Sequence, residues 1–536
     1  MRYALLAVAL CAASAARADF IDLYANTQDV PENKAPRVGN SSMVLIPVQI
    51  DYGNFQPVDM DRLHVFFEGA HATQGLTFRR YYETASNDRF HPAVTVAPLV
   101  EYQGCPSTIH TSGCTIPRGD VSSLSQGVDF IRDVIKRSHD ENQVDFSKFD
   151  VNGIQGAPDG TVDGVMILVN APGVGIALPI EYVNSGSDLN GGTGGPFVLD
   201  GVRIPYVSLG SSEYVLLHEF GHLLGFADLY YEHPSAGDRY PNWGGLHFSL
   251  MGDYDYTADV ALPDAESRRA LGWQPHVVVS GTQSITLAPA GSGGVAVKLG
   301  MMNDAHREYF LAEVRGPAEG VDTGIKDAKG NPTWGLAVYH VDWSKGPRPQ
   351  TGEWTSRLLY CLDCDPFHPF IGNVESSGGF LLVNDGAQNG AQASPSPAPD
   401  DMVLFHGGSL ESLDNAQPLS PDNRYVASNY YDGTPSGVSI RDITVNADHT
   451  VTATFTAPAV DDPCADVSCA AMEQCIASGA LAGNCAALEV AVPDAGPAPV
   501  LTPGSGCSTS GAPGFAGGLL LALLGLAVAR RRQPAA

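Results

Sequence analysis

Two histidines four residues apart constrain this chain more than any other feature of its sequence. His218 and His222 lie in a predicted helix that begins after Ser211 or Ser212, since either serine suits the N-cap position. Residues four apart share one helical face, so both imidazoles would point at the same place. Glu219 follows His218 directly, and this HExxH pattern is typical of two zinc ligands and a general base. The pattern predicts a metal site in which water becomes a nucleophile near neutral pH.

The residues that follow the helix extend this pattern to HExxHxxGxxD. Gly225 lets the chain turn sharply out of the helix, because glycine adopts left-handed conformations at little cost. We expect the turn to bring the Asp228 carboxylate to the metal as a third ligand, with one position left open for water. The alternative, in which the two histidines are satisfied members of a core helix, is disfavoured by this continuation.

A short segment downstream is expected to support the metal site. In the run SLMG at 249–252, Met251 is predicted to pack beneath the zinc, and an ordinary core methionine is the alternative. Tyr254 and Tyr256 lie just beyond, and either hydroxyl could stabilise the oxyanion of a tetrahedral intermediate. A plain packing role is equally consistent with each tyrosine.

Together these residues resemble the M6 family of secreted metallopeptidases, the immune-inhibitor-A type, within the metzincin-like zincins. The resemblance implies that His218, His222 and Asp228 bind zinc and that Glu219 is the base. Further family-like stretches are LTFRRYYETAS (76–86), Val144–Phe146, Asp159–Asp163, EYFLAEVRG (308–316) and GLAVYHVD (335–342). The resemblance therefore spans residues 42–457.

The predicted fold class is α+β, with a catalytic domain followed by a β-rich domain. The resemblance implies a metzincin-like zincin catalytic domain, in which a mixed sheet accompanies the active-site helix. After residue 280, short β-type runs recur between turn residues without a long helix, which predicts a β-sandwich domain. Predicted strands lie at 42–52, 93–102 and 162–170, and predicted helices at 58–68, 76–85 and 124–138. The predicted domains are 42–277 (catalytic), 278–457 (β-sandwich), 458–491 (Cys-rich) and 492–513 (Pro/Ala/Gly linker).

The N-terminus predicts export. Residues 1–18 combine a basic Arg2, an apolar run and the small-x-small triplet at 16–18, which together are typical of a cleaved signal peptide. A buried N-terminal helix is the alternative. Residues 19–41 then form a short N-terminal segment.

The C-terminus predicts a membrane sorting tail at 514–536. Its apolar run is roughly 16 residues long, short for a spanning helix, and an arginine cluster at 530–532 follows at once. With Cys507 just upstream, the tail resembles the MYXO-CTERM sorting tail. That resemblance implies processing near Cys507 and delivery to a bacterial cell surface. A simple tail anchor is the alternative.

The cysteines agree with an oxidising compartment. Cys105 and Cys114 could close one loop. Cys361 and Cys364 form a CxxC, for which a structural disulfide outside the cell is favoured over a redox or zinc role. The last group is expected to form a small knot with two bridges, whose pairing the sequence leaves open: Cys464, Cys469, Cys475 and Cys485.

Acidic residues outnumber basic ones, 59 against 30, for a net charge of −29. A phosphate backbone would repel such a chain, so nucleic acid is not an expected partner. The acidic excess makes Ca²⁺ sites plausible, because hard cations prefer oxygen ligands. Asp150, Asn152, Asp159 and Asp163 cluster such oxygens around glycines, in either a Ca²⁺ loop or a simple hairpin turn.

A second metal site is conceivable at His340 and Asp342, which lie on a predicted strand, although an ordinary exposed strand pair is favoured.

The overall prediction is a zinc endopeptidase, exported to the cell surface or exterior, that acts on protein or peptide substrates. One rival is a surface adhesin or scaffold with an unused protease domain. The other is a zinc hydrolase that acts on a sugar or amide.

Overall fold

The chain is an α+β protein with several sheets and few helices in the described residues, as a computed structural model shows. The structure describes residues 35–51, 55–69, 75–103, 121–153, 157–171, 175–180, 196–226, 229, 246, 248–252, 260–302, 306–327, 329–344, 371–374, 404–406, 413, 428–464, 473–476 and 482–487. The predicted signal peptide, linker and sorting tail lie outside the described residues, as do Cys105, Cys114, Cys361 and Cys364.

A six-stranded sheet organises the N-terminal half. The first eight strands are β1 (Gly39–Asp51), β2 (Phe90–Val96), β3 (Val100–Gln103), β4 (Val165–Val169), β5 (Gly175–Pro179), β6 (Val198–Leu199), β7 (Val202–Arg203) and β8 (Tyr206–Gly210). The sheet order is β2-β1-β4-β8-β5, with β3 also paired to β1, and β6 and β7 form a separate hairpin. All pairs in the sheet are parallel except β5, which runs antiparallel to β8. Strands β4 and β8 are buried along their length, as expected when both faces of a parallel sheet are covered.

The α-helices in the described residues are α1 (Met60–Leu63), which continues as a π-helical turn to Glu68, α2 (Phe78–Ala85), α3 (Val121–Asp140), α4 (Glu213–Leu224) and α5 (Ala265–Ala270). The first four cover the two faces of this sheet, whereas α5 packs against the C-terminal half. Helices α2 and α4 pack in one hydrophobic cluster, where the hydroxyl of Tyr82 donates to the carbonyl of Leu217 at 2.5 Å. Helix α3 packs in a cluster with the other face through its predicted apolar positions, which are Val128, Ile131, Val134 and Ile135.

Two more sheets form the C-terminal half. Their strands are β9 (His276–Val279), β10 (Gly281–Leu287), β11 (Ala296–Leu299), β12 (Glu308–Arg315), β13 (Gly335–Asp342), β14 (Ile371–Val374), β15 (Ser439–Val445) and β16 (Val451–Ala457). One sheet has the order β14-β13-β12-β11-β9 and the other β10-β16-β15. Side chains from both sheets enter a single hydrophobic cluster that includes Phe310, Val338 and Phe455. The last two strands, β17 (Glu473–Cys475) and β18 (Cys485–Ala487), form a hairpin. A disulfide joins Cys475 of β17 to Cys464, which precedes the hairpin.

Buried charges join α5 to the β12 strand. Arg268 of α5 pairs with Glu313, and Arg315 binds both oxygens of Asp322 at 2.8 and 2.7 Å. All four side chains are at most 1% exposed. Removing one partner would leave an uncompensated buried charge, which is strongly destabilising. The two halves therefore depend on each other for the burial of these groups.

The predicted single strand at 93–102 is wrong, because the chain forms two strands there. Strands β2 and β3 pair successively with the long β1, and Pro98 lies between them. Proline has no backbone N–H, so Pro98 cannot donate a ladder hydrogen bond to β1 between these two strands. In the part of the chain that the structure describes, no helix is long and apolar enough to cross a membrane.

The acidic loop before β4 is held by its own backbone. Asp150 accepts hydrogen bonds from the N–H groups of Asp159 and Gly160, at 3.0 and 2.9 Å. The buried Asp163 carboxylate accepts from the N–H groups of Ser42 and Asn152, at 2.7 and 3.1 Å. Despite these bonds, burial raises the pKa of Asp163 to about 7.

The raised pKa predicts that Asp163 makes stability depend on pH. The native state retains the proton where the unfolded chain has lost it, so this contribution is largest below about pH 4 and is lost as pH approaches 7. Asp163→Asn removes the titration. As pH rises across that window, the free energy of unfolding of the variant should therefore increase relative to that of the wild type by at most ~1.4 kcal/mol per pH unit. Urea unfolding with a chelator present measures this difference.

Asp145→Asn is the control for this measurement. Its exposed carboxylate has a pKa lowered by the Ser147 hydroxyl, so it titrates below the window and should add no pH dependence between pH 5 and 7. A stability difference between Asp163→Asn and wild type that stays constant with pH would contradict the assignment.

Candidate metal centre

Helix α4 is defined at both ends by its sequence. The Ser212 hydroxyl accepts from the N–H of Val215 at 3.2 Å, which confirms the predicted N-cap. At the other end Gly225 has φ of 104°, and its N–H donates to the carbonyl of His222. The N–H of Phe226 donates to the Gly221 carbonyl, which completes a Schellman cap. The predicted sharp exit at Gly225 is thus confirmed.

The two histidines are buried and fixed by backbone carbonyls. Nδ1 of His218 lies 2.9 Å from the carbonyl oxygen of Leu250, and Nδ1 of His222 lies 2.9 Å from that of Phe226. A carbonyl oxygen only accepts, so each Nδ1 must carry the proton. In the neutral ring the lone pair is then on Nε2. This is the arrangement that a metal-binding histidine needs, with its other nitrogen donating to an outer group.

Glu219 completes the group. One potential ligand atom each from His218, Glu219 and His222 lies within 4.8 Å of the others, and all three residues are buried. The first residue of β5, Gly175, borders the carboxylate. A methyl group at position 175 would lie 2.6 Å from Oε1 of Glu219 and 2.9 Å from Cγ1 of Val215. The glycine therefore gives the Glu219 carboxylate the space that it occupies.

Met251 packs against the α4 helix, and its place beneath a zinc ion stays a prediction. Its side chain is fully buried, and a methyl group at Gly221 would lie 3.1 Å from its sulfur. The absence of a side chain at Gly221 therefore lets Met251 approach the helix between the two histidines. Gly252 closes the same turn, because a methyl group there would lie 1.9 Å from the carbonyl oxygen of Leu246.

The third predicted ligand, Asp228, lies outside the described residues, as do Tyr254 and Tyr256. The residue after Asp228 is described. The N–H of Leu229 donates to the Met251 carbonyl at 2.7 Å, and its own carbonyl accepts from Leu246 at 2.8 Å. The chain is thus tied to the Met251 turn one residue past the predicted ligand.

The other predicted metal residues are placed differently. Asp150, Asn152, Asp159 and Asp163 form the acidic loop described above, and Ca²⁺ binding there stays a prediction. His340 and Asp342 are buried on β13, so the predicted exposure of that strand is wrong. His340 stacks between Phe310 and Tyr431, and its Nε2 lies 2.9 Å from Oε2 of Glu308.

The structure also brings together Glu83, Asp88 and His91, which the sequence analysis missed. No motif marks them, because they meet only where α2 turns into β2. Arg79 donates to Oε1 of Glu83 at 2.7 Å, the same oxygen that lies 3.1 Å from Nδ1 of His91. The Glu83 carboxylate of this group is thus already paired with Arg79.

The chain matches no protein-family model, and no curated protein is significantly similar to it in sequence.

The geometry predicts that the α4 group binds one divalent metal ion. Purified protein should bind one equivalent of zinc, and His218→Gln should weaken binding by more than about 100-fold, beyond the loss expected for an outer-shell hydrogen bond. Chelator competition measures this affinity. His91→Gln is the matched control in the second group and should leave the affinity unchanged. Equal losses in the two variants would place the ion elsewhere.

Proposed function

We propose that this protein is a zinc-dependent endopeptidase of the M6 type, exported to the bacterial cell surface or exterior. The observation that carries the proposal is the pair of buried histidines on α4, each held as the Nδ1–H tautomer beside the Glu219 carboxylate. Imidazoles that donate through Nδ1 leave Nε2 as the atom that can bind zinc, which prefers nitrogen and sulfur ligands. Asp228 would be the third ligand, supported by the attachment of Leu229 to the Met251 turn.

Zinc at this place would supply Lewis-acid chemistry, which polarises a carbonyl and acidifies water. Glu219 acts as the general base and takes a proton from a water molecule while the oxygen of that water attacks the peptide carbonyl carbon. The same carboxyl group then gives the proton to the amide nitrogen as the C–N bond breaks. The amine leaves neutral, and the new carboxyl group keeps the water oxygen. His218 and His222 hold the ion, and their carbonyl partners keep both rings oriented.

The sheet edge favours a peptide over a sugar as substrate. Strand β5 is the last strand of the six-stranded sheet among the described residues, and it begins at Gly175 beside Glu219. An extended peptide could pair with an unpaired strand edge through main-chain hydrogen bonds. Such pairing would bring a backbone carbonyl close to the base.

The fold assignment is part of the same proposal. The six-stranded mixed sheet, α4 and the Met251 turn support a zincin catalytic domain at 42–277. The two C-terminal sheets share one hydrophobic cluster, which supports a β-sandwich at 278–457. The disulfide between Cys464 and Cys475 agrees with an exported protein. The sorting tail at 514–536, with processing near Cys507, would attach the protein to the surface.

The first test is casein hydrolysis by Glu219→Gln. Loss of the general base should lower kcat/KM by about 10²–10⁴-fold, while zinc binding remains. Glu213→Gln is the matched control on the same helix, because Glu213 pairs with Arg62 at 2.7 Å and not with the metal group. A folded, zinc-loaded wild type without activity would favour the adhesin or scaffold function. Activity retained in Glu219→Gln would show that another group is the base.

Gly175→Ala tests the space beside the base. The added methyl group would force the Glu219 carboxylate to turn away, so kcat should fall about 10-fold or more, within the range that general-base catalysis supplies. Zinc affinity should not change. In a double-mutant cycle, Gly175→Ala should cost little in the Glu219→Gln background, since both act through one carboxylate. Full additivity would mean that Gly175 acts by another route.

A further inference from the structure

A buried carboxylate lies behind the carbonyl that fixes His218. The Ser249 hydroxyl donates to Oδ2 of Asp264 at 3.0 Å, and the N–H of Met251 lies 3.3 Å from the same hydroxyl. Leu250, whose carbonyl accepts from His218, lies between Ser249 and Met251 in the chain. Ser249 and Asp264 are both fully buried. The orientation of the Leu250 carbonyl therefore depends on a turn whose first residue is tied to Asp264.

Asp264 is itself held rigidly. It is the N-cap of α5, and its Oδ1 accepts from the N–H of Ser267 at 2.8 Å. Its Oδ2 also accepts from the Ser267 hydroxyl at 2.8 Å. The Ser267 N–H and the hydroxyls of Ser249 and Ser267 all donate to Asp264, so both of its oxygens act as acceptors. An amide at this position would point its NH₂ group at a donor.

We propose that Asp264 is a positioning residue for the metal site, acting through Ser249 and the Leu250 carbonyl to hold His218 as the Nδ1–H tautomer. This inference rests on the proposed zinc function. An N-cap needs only the hydrogen bond that Asp264 accepts from the N–H of Ser267. The second oxygen, shared by two hydroxyls from different segments, joins α5 to the turn beneath the metal group.

The experiment compares two serines that donate to the same oxygen. Ser249→Ala removes the bond on the side of the metal turn, and Ser267→Ala removes its counterpart within α5. Both serines are buried, so both variants should lose similar thermal stability. Zinc affinity, measured by chelator competition on the full chain well below the melting temperature, should fall about 10-fold in Ser249→Ala, the loss typical of outer-shell partners. In Ser267→Ala it should change by less than ~3-fold, below that range.

Asp264→Asn is the second variant and keeps an N-cap acceptor. It should weaken zinc binding as much as Ser249→Ala does, and the double variant should lose no more than either single one. Equal zinc affinities in wild type and in folded Ser249→Ala and Asp264→Asn would overturn the positioning role and leave the proposed function intact. A wild type that binds no zinc would overturn both.

Discussion

The hydrogen bond from Nδ1 of His218 to the carbonyl of Leu250 joins the α4 helix to the Met251 turn, and the orientation of the His218 ring depends on it. The cap of the helix supplies the acceptor for Nδ1 of His222, which is the carbonyl of Phe226. The acceptor for His218 comes from a segment 32 residues later, so that segment must be fixed as firmly as the helix. The N–H of Leu250 donates to the Leu262 carbonyl, which extends the constraint to the chain before α5.

The constraint ends in the C-terminal half. Leu262 donates its N–H to Oδ1 of Asp322 at 3.0 Å, and its carbonyl accepts from Arg315 at 3.3 Å. A buried ion pair is a costly way to hold a peptide, since desolvation offsets much of its attraction. It does give directional hydrogen bonds where apolar packing would give none. The β-rich half therefore does more than cover the N-terminal half, because it fixes a peptide two hydrogen bonds from His218.

The ends and buried faces of helices were predictable from the sequence, but contacts between distant segments were not. The N-cap at Ser212, the exit at Gly225 and the apolar spacing on α3 follow from residue type and periodicity, and all three are confirmed. Periodicity does not encode which strand pairs with which, so the break at Pro98 was missed. The contact of Gly175 with Glu219 joins residues 44 positions apart and has no signature in either local sequence. The carbonyl partner of His218 could not be predicted either, because Leu250 lies 32 residues away.

Comparison of the two possible metal groups shows what the motif adds to mere proximity. Glu83, Asp88 and His91 also bring three ligand atoms within 4.8 Å, yet Asp88 is 84% exposed and Arg79 shares the Glu83 oxygen. A cation entering there would have to displace an arginine and would compete with water. In the α4 group the histidines are at most 5% exposed and are oriented by carbonyls. Burial and a fixed tautomer, rather than the number of potential ligands, therefore distinguish the α4 group, for which we propose zinc binding, from the group at Glu83.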